Sequence, residues 1–117
     1  MLETKYKILI ITLYRAVSQY EKDDFDIDGI FRTGENTLEV KQFFGSRTAV
    51  DQYVQNSVKQ NYTPPYRYLL IIRVTEECLN HSNSTFMLLD GFNALCVAEA
   101  DSRTFSNCVI FIKEEVI

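Results

Sequence analysis

Arg15, Arg32, Arg67, Arg73 and Arg103 stand beside apolar runs or in polar loops. A guanidinium carries a planar fork of N–H donors that matches phosphate oxygens. Arg15 has the most informative position. It closes the apolar run KILIITLY (Lys7 to Tyr14), so its head group is expected at the rim of a core. A second group follows an Asp-Gly pair, where Phe92 and Asn93 precede a polar stretch ending in Arg103. An aromatic face stacks on a base, and an asparagine amide pairs with the donor–acceptor edge of adenine. Arg15, Arg32, Phe92, Asn93 and Arg103 therefore form the candidate ligand set for a small anionic nucleotide. The competing reading makes the arginines surface ion pairs, each worth about 0–1 kcal/mol. In that reading Phe92 is core and Asn93 satisfies a turn.

The acidic stretch before Arg32 offers different chemistry. Asp24, Asp26, Asp28, Gly29 and Glu35 match the calcium-loop pattern D-x-D-x-D-G-x5-E without a gap. Spaced carboxylates and a turn glycine suit a hard cation. Arg32 sits inside that loop where an oxygen ligand belongs, and the preceding segment is rich in strand formers. The alternation Asp24-Phe25-Asp26-Ile27-Asp28 also describes an edge strand whose charges protect it from pairing. Such a strand would serve a protein-interaction module with a basic partner.

Other classes have little to build on. The single histidine, His81, has no cysteine near it in sequence. The three cysteines, Cys78, Cys96 and Cys108, are widely spaced, without a CxxC pair, and read as reduced thiols of a cytoplasmic protein. No cofactor or metal is expected. The net charge of −4 argues against a nucleic-acid duplex or an anionic membrane surface as partner. The run Ile8–Leu13 is too short to cross a bilayer.

The elements that must position these groups follow from patterning. At 117 residues the chain is expected to be one domain, 1–117, able to bury one core. Lys7–Tyr14, Tyr66–Val74 and Cys108–Val116 read as strands. Phe86–Leu89 and Phe92–Ala98 read as a hairpin about Asp90-Gly91. Thr37–Phe44 is ambiguous between strand and helix. Ser46 is the best helix cap, with Val50, Tyr53, Val54 and Val58 on one face of a helix ending near Gln60, ahead of Pro64-Pro65. Ala16–Lys22 is open between helix and loop, Thr75–Asn80 has room for one helical turn, and Ala100–Asn107 reads as a polar loop. Strands and helices do not alternate, so the expected class is α+β: a mostly antiparallel sheet of five or six strands with one main helix. Shared edges or faces make a homo-oligomer plausible.

Two resemblances bear on function. Leu13-Tyr14-Arg15-Ala16-Val17, then Gly29-Ile30-Phe31, then Phe43-Phe44-Gly45-Ser46 with Ala49 and Tyr53, resembles the first half of ADP-ribosyltransferase domains. That resemblance implies an NAD contact at Arg15, a strand serine at Ser46, and a late catalytic glutamate among Glu99, Glu114 and Glu115. The size, acidic balance and the stretches FRTGE and DGFNALCVAEAD resemble small phage proteins that sequester cyclic ADP-ribose signals of Thoeris defence. This second resemblance implies a non-catalytic, oligomeric anti-defence sponge in the cytoplasm of a bacterial host. The Gly29-Ile30-Phe31-Arg32 run also occurs in Rho GTPase-activating domains, but those are larger and all-helical. The two resemblances converge on an ADP-ribose-type ligand. The leading expectation is a non-catalytic nucleotide-binding protein. The alternatives are a small NAD-binding ADP-ribosyltransferase-like enzyme, and a calcium-binding or protein-interaction module using Asp24, Asp26 and Asp28.

Overall fold

A computed structural model describes residues 9–31, 40–82, 84–89 and 92–117. Six strands form one sheet: β1 (Ile10–Val17), β2 (Val40–Phe44), β3 (Tyr68–Thr75), β4 (Thr85–Leu89), β5 (Phe92–Ala98) and β6 (Val109–Val116). Their order is β4-β5-β2-β1-β3-β6, and every pairing is antiparallel. Four helices accompany it: α1 (Gln19–Asp28), α2 (Arg47–Lys59), α3 (Glu76–His81) and α4 (Ser102–Asn107). The fold is thus the expected α+β arrangement. No described helix is long and apolar enough to cross a membrane.

Both faces of the sheet are covered. One buries Leu13, Val17, Phe43, Leu70, Ile72 and Leu95 from the strands, with Phe25 from α1, Leu79 from α3 and Phe105 from α4. The opposite face buries Ala16, Phe44, Leu69 and Ala94 against Ala49 and Val50 of α2. The apolar runs of β1 and β3 have no polar alternation for this reason: a strand covered on both faces is buried on both. α2 begins where the serine cap predicts. The Ser46 hydroxyl accepts from the Ala49 amide at 3.1 Å, replacing a bond that the first turn cannot make internally.

Two expectations are corrected. The acidic run is not an edge strand: Asp24, Asp26 and Asp28 lie in α1. Ser18 caps the helix by accepting from the Glu21 amide, and Gly29 ends it at φ 72°, a left-handed conformation that a side chain would strain. Gln19 to Asp23 and Lys22 to Asp26 add i,i+4 contacts at 2.9 and 2.7 Å. A strand would have had to bury Phe25 and Ile27 together, whereas the helix buries Phe25 at 6% exposure and leaves Ile27 at 79%. One cap worth about 1 kcal/mol and two contacts of about 0.3–0.5 kcal/mol each outweigh a short alternation. Likewise, 102–107 is the helix α4 rather than a loop, with Ser102, Phe105 and Ser106 buried at i, i+3 and i+4.

The third correction concerns the thiols. Cys78 and Cys108 form a disulfide, with Cα atoms 5.6 Å apart. Register is the cause. Val74 pairs with Val109, which brings the end of β3 beside the start of β6. Cys78 follows in α3 and Cys108 immediately precedes β6, so antiparallel pairing delivers both to one place. Cys96 is the one free thiol among the described residues; it is buried, and burial pushes its pKa up. Closing a loop with a separation of 30 residues contributes about 3–4 kcal/mol by the chain-entropy argument. Reduction, or Cys78→Ala with Cys108→Ala, should therefore lower Tm on the order of 10 °C. Differential scanning calorimetry with and without reductant measures it, and an unchanged Tm counts against the bridge.

Candidate functional site

Arg15 points to the α1 side of the sheet, as its alternation with buried Leu13 and Val17 requires. All three nitrogens of its guanidinium engage the fold. Nε and Nη2 donate to the two carboxylate oxygens of Glu21 at 2.5 and 2.6 Å, a bidentate pair. Nη1 donates to the Gln42 carbonyl at 2.9 Å, and the guanidinium carbon sits 5.6 Å from the Phe43 ring centre. The β1–β2 ladder is registered at Tyr14 and Phe44. Where the strands then diverge, Arg15 reaches the β2 carbonyl with its side chain. Both partners are largely buried, with side-chain exposures of 13% for Arg15 and 19% for Glu21.

Beneath this pair lies an aromatic cluster. Phe31 stacks on Phe25 at 4.2 Å, meets Phe43 edge-on at 5.0 Å, and lies 6.3 Å from Phe105. Phe31 belongs to no helix or strand, yet is 1% exposed. Its amide donates to the buried Ser106 hydroxyl at 3.1 Å. Burying such a ring contributes about 2–3 kcal/mol, enough to tie the chain leaving α1 to α4.

Beside the cluster opens a cleft of about 460 Å³, lined by Phe25, Asp26 and Gly29 of the α1 end, Ser106 of α4, and Val109, Ile112 and Glu114 of β6. Its lining mixes the apolar Phe25, Val109 and Ile112 with two carboxylates and a serine hydroxyl. Lys22 bridges the two carboxylates, with Nζ 2.7 Å from Asp26 and 3.4 Å from Glu114, and also lies over the Tyr68 ring at 5.0 Å. The Asp26 hydrogen bond is the main cause raising the Lys22 pKa, with Glu114 adding to it.

The sequence-derived ligand set does not gather here. Arg32 and the calcium-loop residue Glu35 lie outside the described residues. Phe92 and Asn93 open β5, opposite Leu89 and Leu88 of β4, and the Asn93 side chain is exposed. Arg103 lies in the first turn of α4, beyond the other end of β5, exposed and without an ion pair among the described residues. Asn93 and Arg103 are thus separated by the length of a strand, and β2 lies between β5 and Arg15. Ser46, which the transferase resemblance placed in the site, is a helix cap on the α2 side of the sheet. Asp24, Asp26 and Asp28 follow helical spacing, not the path of a calcium loop. Among the described residues, no three acidic, histidine or cysteine side chains group so as to hold a metal ion.

Patterning missed the cleft because its lining comes from three elements distant in the chain. Lys22, Ser106 and Glu114 had no motif to mark them. One signal was present: Ser18-Gln19-Tyr20-Glu21 is a capping-box spacing that marks a helix start right after β1. Its glutamate serves Arg15. No family model, curated protein or solved structure matches this chain.

Two outcomes are expected. Arg15→Ala should destabilise the protein by about 2–4 kcal/mol, because Glu21 loses its bidentate partner in a largely buried place. Replacing both, Arg15→Met with Glu21→Gln, should recover at least half of that in urea titrations. If Arg15→Ala leaves the urea midpoint unchanged, the pair is not structural. On the opposite face, burial is the main cause raising the Tyr66 phenol well above the ordinary tyrosine pKa, and its 3.2 Å hydrogen bond to Tyr53 acts in the same direction. The folded pKa lies above the unfolded one, so this stabilisation is complete below about pH 10 and falls as pH rises beyond it. Tyr66→Phe should lose less stability than wild type between pH 9 and pH 11 (both approximate, set by the ordinary tyrosine pKa) in thermal melts.

Proposed function

We propose that this chain is a non-catalytic binding domain whose working surface is the acidic face of α1 and the cleft α1 makes with β6. The occupant that suits this surface is a cationic protein segment carrying apolar side chains. The observation that supports it most is the composition of the cleft: Phe25, Val109 and Ile112 together with Asp26 and Glu114, with Lys22 already shared between the two acids. An incoming arginine or lysine would meet two carboxylates, and an apolar neighbour would meet Phe25 and Ile112. α1 extends the same character outward, since Tyr20 and Ile27 are 78% and 79% exposed and Asp23 lies between them on the exposed surface. Such a mixture of acids and exposed apolar groups is typical of recognition surfaces. The engagement of three Arg15 nitrogens by Glu21 and Gln42 supports a binding role over NAD chemistry at that residue.

Binding of a fluorescent peptide alternating arginine and leucine, followed by anisotropy, tests the reading. Asp23→Lys with Asp26→Lys should weaken binding at least tenfold, and raising salt should weaken it further. An affinity indifferent to both changes removes the acidic face from the binding reaction.

A second reading is capture of an ADP-ribose-type nucleotide in a bacterial cytoplasm, as an anti-defence sponge. Its support is Arg103, whose exposed guanidinium has no ion pair among the described residues and keeps its donor fork for a diphosphate. The Cys78–Cys108 bridge weighs the other way on location, because such bonds persist in oxidising compartments. Calorimetry with cyclic ADP-ribose isomers and NAD, on wild type and Arg103→Ala, decides: binding lost in the variant supports capture, and no heat with any of them ends it.

A further inference from the structure

β6 forms one border of the sheet, and β3 is its single partner among the described residues. It is eight residues long. Exposed edges of this length are usually short, bulged, or lined with charge, because unpaired amides and carbonyls template further pairing. β6 has two such devices: the register shifts between Arg73 and Val74, leaving Ile110 as an extra residue at the start of the strand, and Lys113, Glu114 and Glu115 place charge in its second half. From Phe111 to Val116 the pairing is regular. In that regular part exposed apolar side chains flank the three charges. Phe111, Ile112, Val116 and the following Ile117 are 46%, 36%, 83% and 44% exposed.

We propose that β6 pairs antiparallel with β6 of a second copy, continuing the two sheets across a two-fold axis at Glu114. A two-fold axis perpendicular to the sheet keeps each residue on its own face, so only residues of the same parity can stand opposite one another. With Glu114 on the axis, Lys113 faces Glu115 of the second copy, and Glu115 faces its Lys113. Phe111 faces Ile117 and Ile112 faces Val116, and each of these pairs occurs twice. Every charged residue except the axial one meets its opposite, and every apolar residue from Phe111 onward meets an apolar one. Moving the axis to Lys113 sets lysine on lysine, Phe111 on Glu115 and Ile112 on Glu114. Moving it to Glu115 sets glutamate on glutamate and Lys113 on Ile117. The strand is self-complementary in one register.

The structure also prepares the two exceptional acids. Glu114 on the axis meets its own copy, but Lys22 lies 3.4 Å from each carboxylate and offsets the repulsion. Glu115 is held by Arg47 of α2 at 2.5 Å and lies 3.6 Å from Lys113. These contacts hold the pKa of Glu115 below the ordinary glutamate value, with the Arg47 hydrogen bond as main cause. The carboxylate is therefore charged and in place for the lysine across the axis. Apolar cross-strand pairs and opposite charges each add about 0.2–1 kcal/mol to a ladder, in addition to its main-chain bonds. The main-chain pairing uses the outer edge of β6, whereas Ile112 and Glu114 also line the cleft, so the second copy and a cationic segment would share these two residues.

The test is sedimentation of the full chain, joined to a charge swap and a cross-link. Wild type should sediment at twice the 13.6 kDa of one chain at micromolar concentration. Lys113→Glu should shift it to one chain, because like charges then face each other, and Lys113→Glu with Glu115→Lys should restore the pair. Glu114→Cys should give an oxidant-induced disulfide dimer on a non-reducing gel, since opposed Cα atoms on a two-fold lie about 4.5–5.5 Å apart. A one-chain wild type at every concentration overturns the proposal. So does a dimer unaffected by Lys113→Glu, or a Glu114→Cys chain that fails to cross-link while Ile110→Cys does.

Discussion

The Arg15–Glu21 pair holds together the parts of this molecule that sequence proximity alone would leave independent. Arg15 belongs to β1, Glu21 to α1, and the third acceptor, Gln42, to β2. One guanidinium thus sets the angle at which α1 leaves the sheet and covers the place where β1 and β2 diverge. A largely buried charge of this kind is sustained by hydrogen bonds from all three of its nitrogens, and removing one partner costs more than the pair contributes net. The orientation of α1 follows from it, and α1 in turn places Phe25 over the aromatic cluster and Lys22 and Asp26 at the cleft.

The cleft shows how charge is managed at a border between elements. Asp26 and Glu114 face each other across it from α1 and β6, and Lys22 mediates between them. The arrangement keeps acids near one another without burying any of them alone. It also leaves the surface with an excess of negative charge that matches the balance of the chain as a whole.

β6 has two different environments on its two sides. Its inner side is tied to β3 by a full ladder and, through Cys108, to α3 by a covalent bond. Its outer edge has no strand partner among the described residues, and Phe111, Ile112 and Val116 are exposed on its two faces.

By itself, the sequence determined the main helix and every strand but β2, whose segment Thr37–Phe44 it left open between strand and helix. The β-branched and aromatic runs of β1, β3 and β6 have no competing local structure, and Ser46 caps α2 through an interaction three residues away. It also determined that Arg15 sits at the edge of the core, since that follows from its place after an apolar run. It misjudged α1, where the period-two alternation of Asp24–Asp28 competed with a serine cap, a terminal glycine and two side-chain contacts, and the local helix signals won. Only the tertiary structure decided what Arg15 binds, because Glu21 and Gln42 reach it through helix direction and strand divergence rather than spacing. The pairing of Cys78 with Cys108 was decided by the β3–β6 register, which no local pattern encodes. The separation of Arg15, Asn93 and Arg103 has the same origin. Strand order sets which residues share a neighbourhood, and strand order is chosen by packing of the whole sheet between its helices.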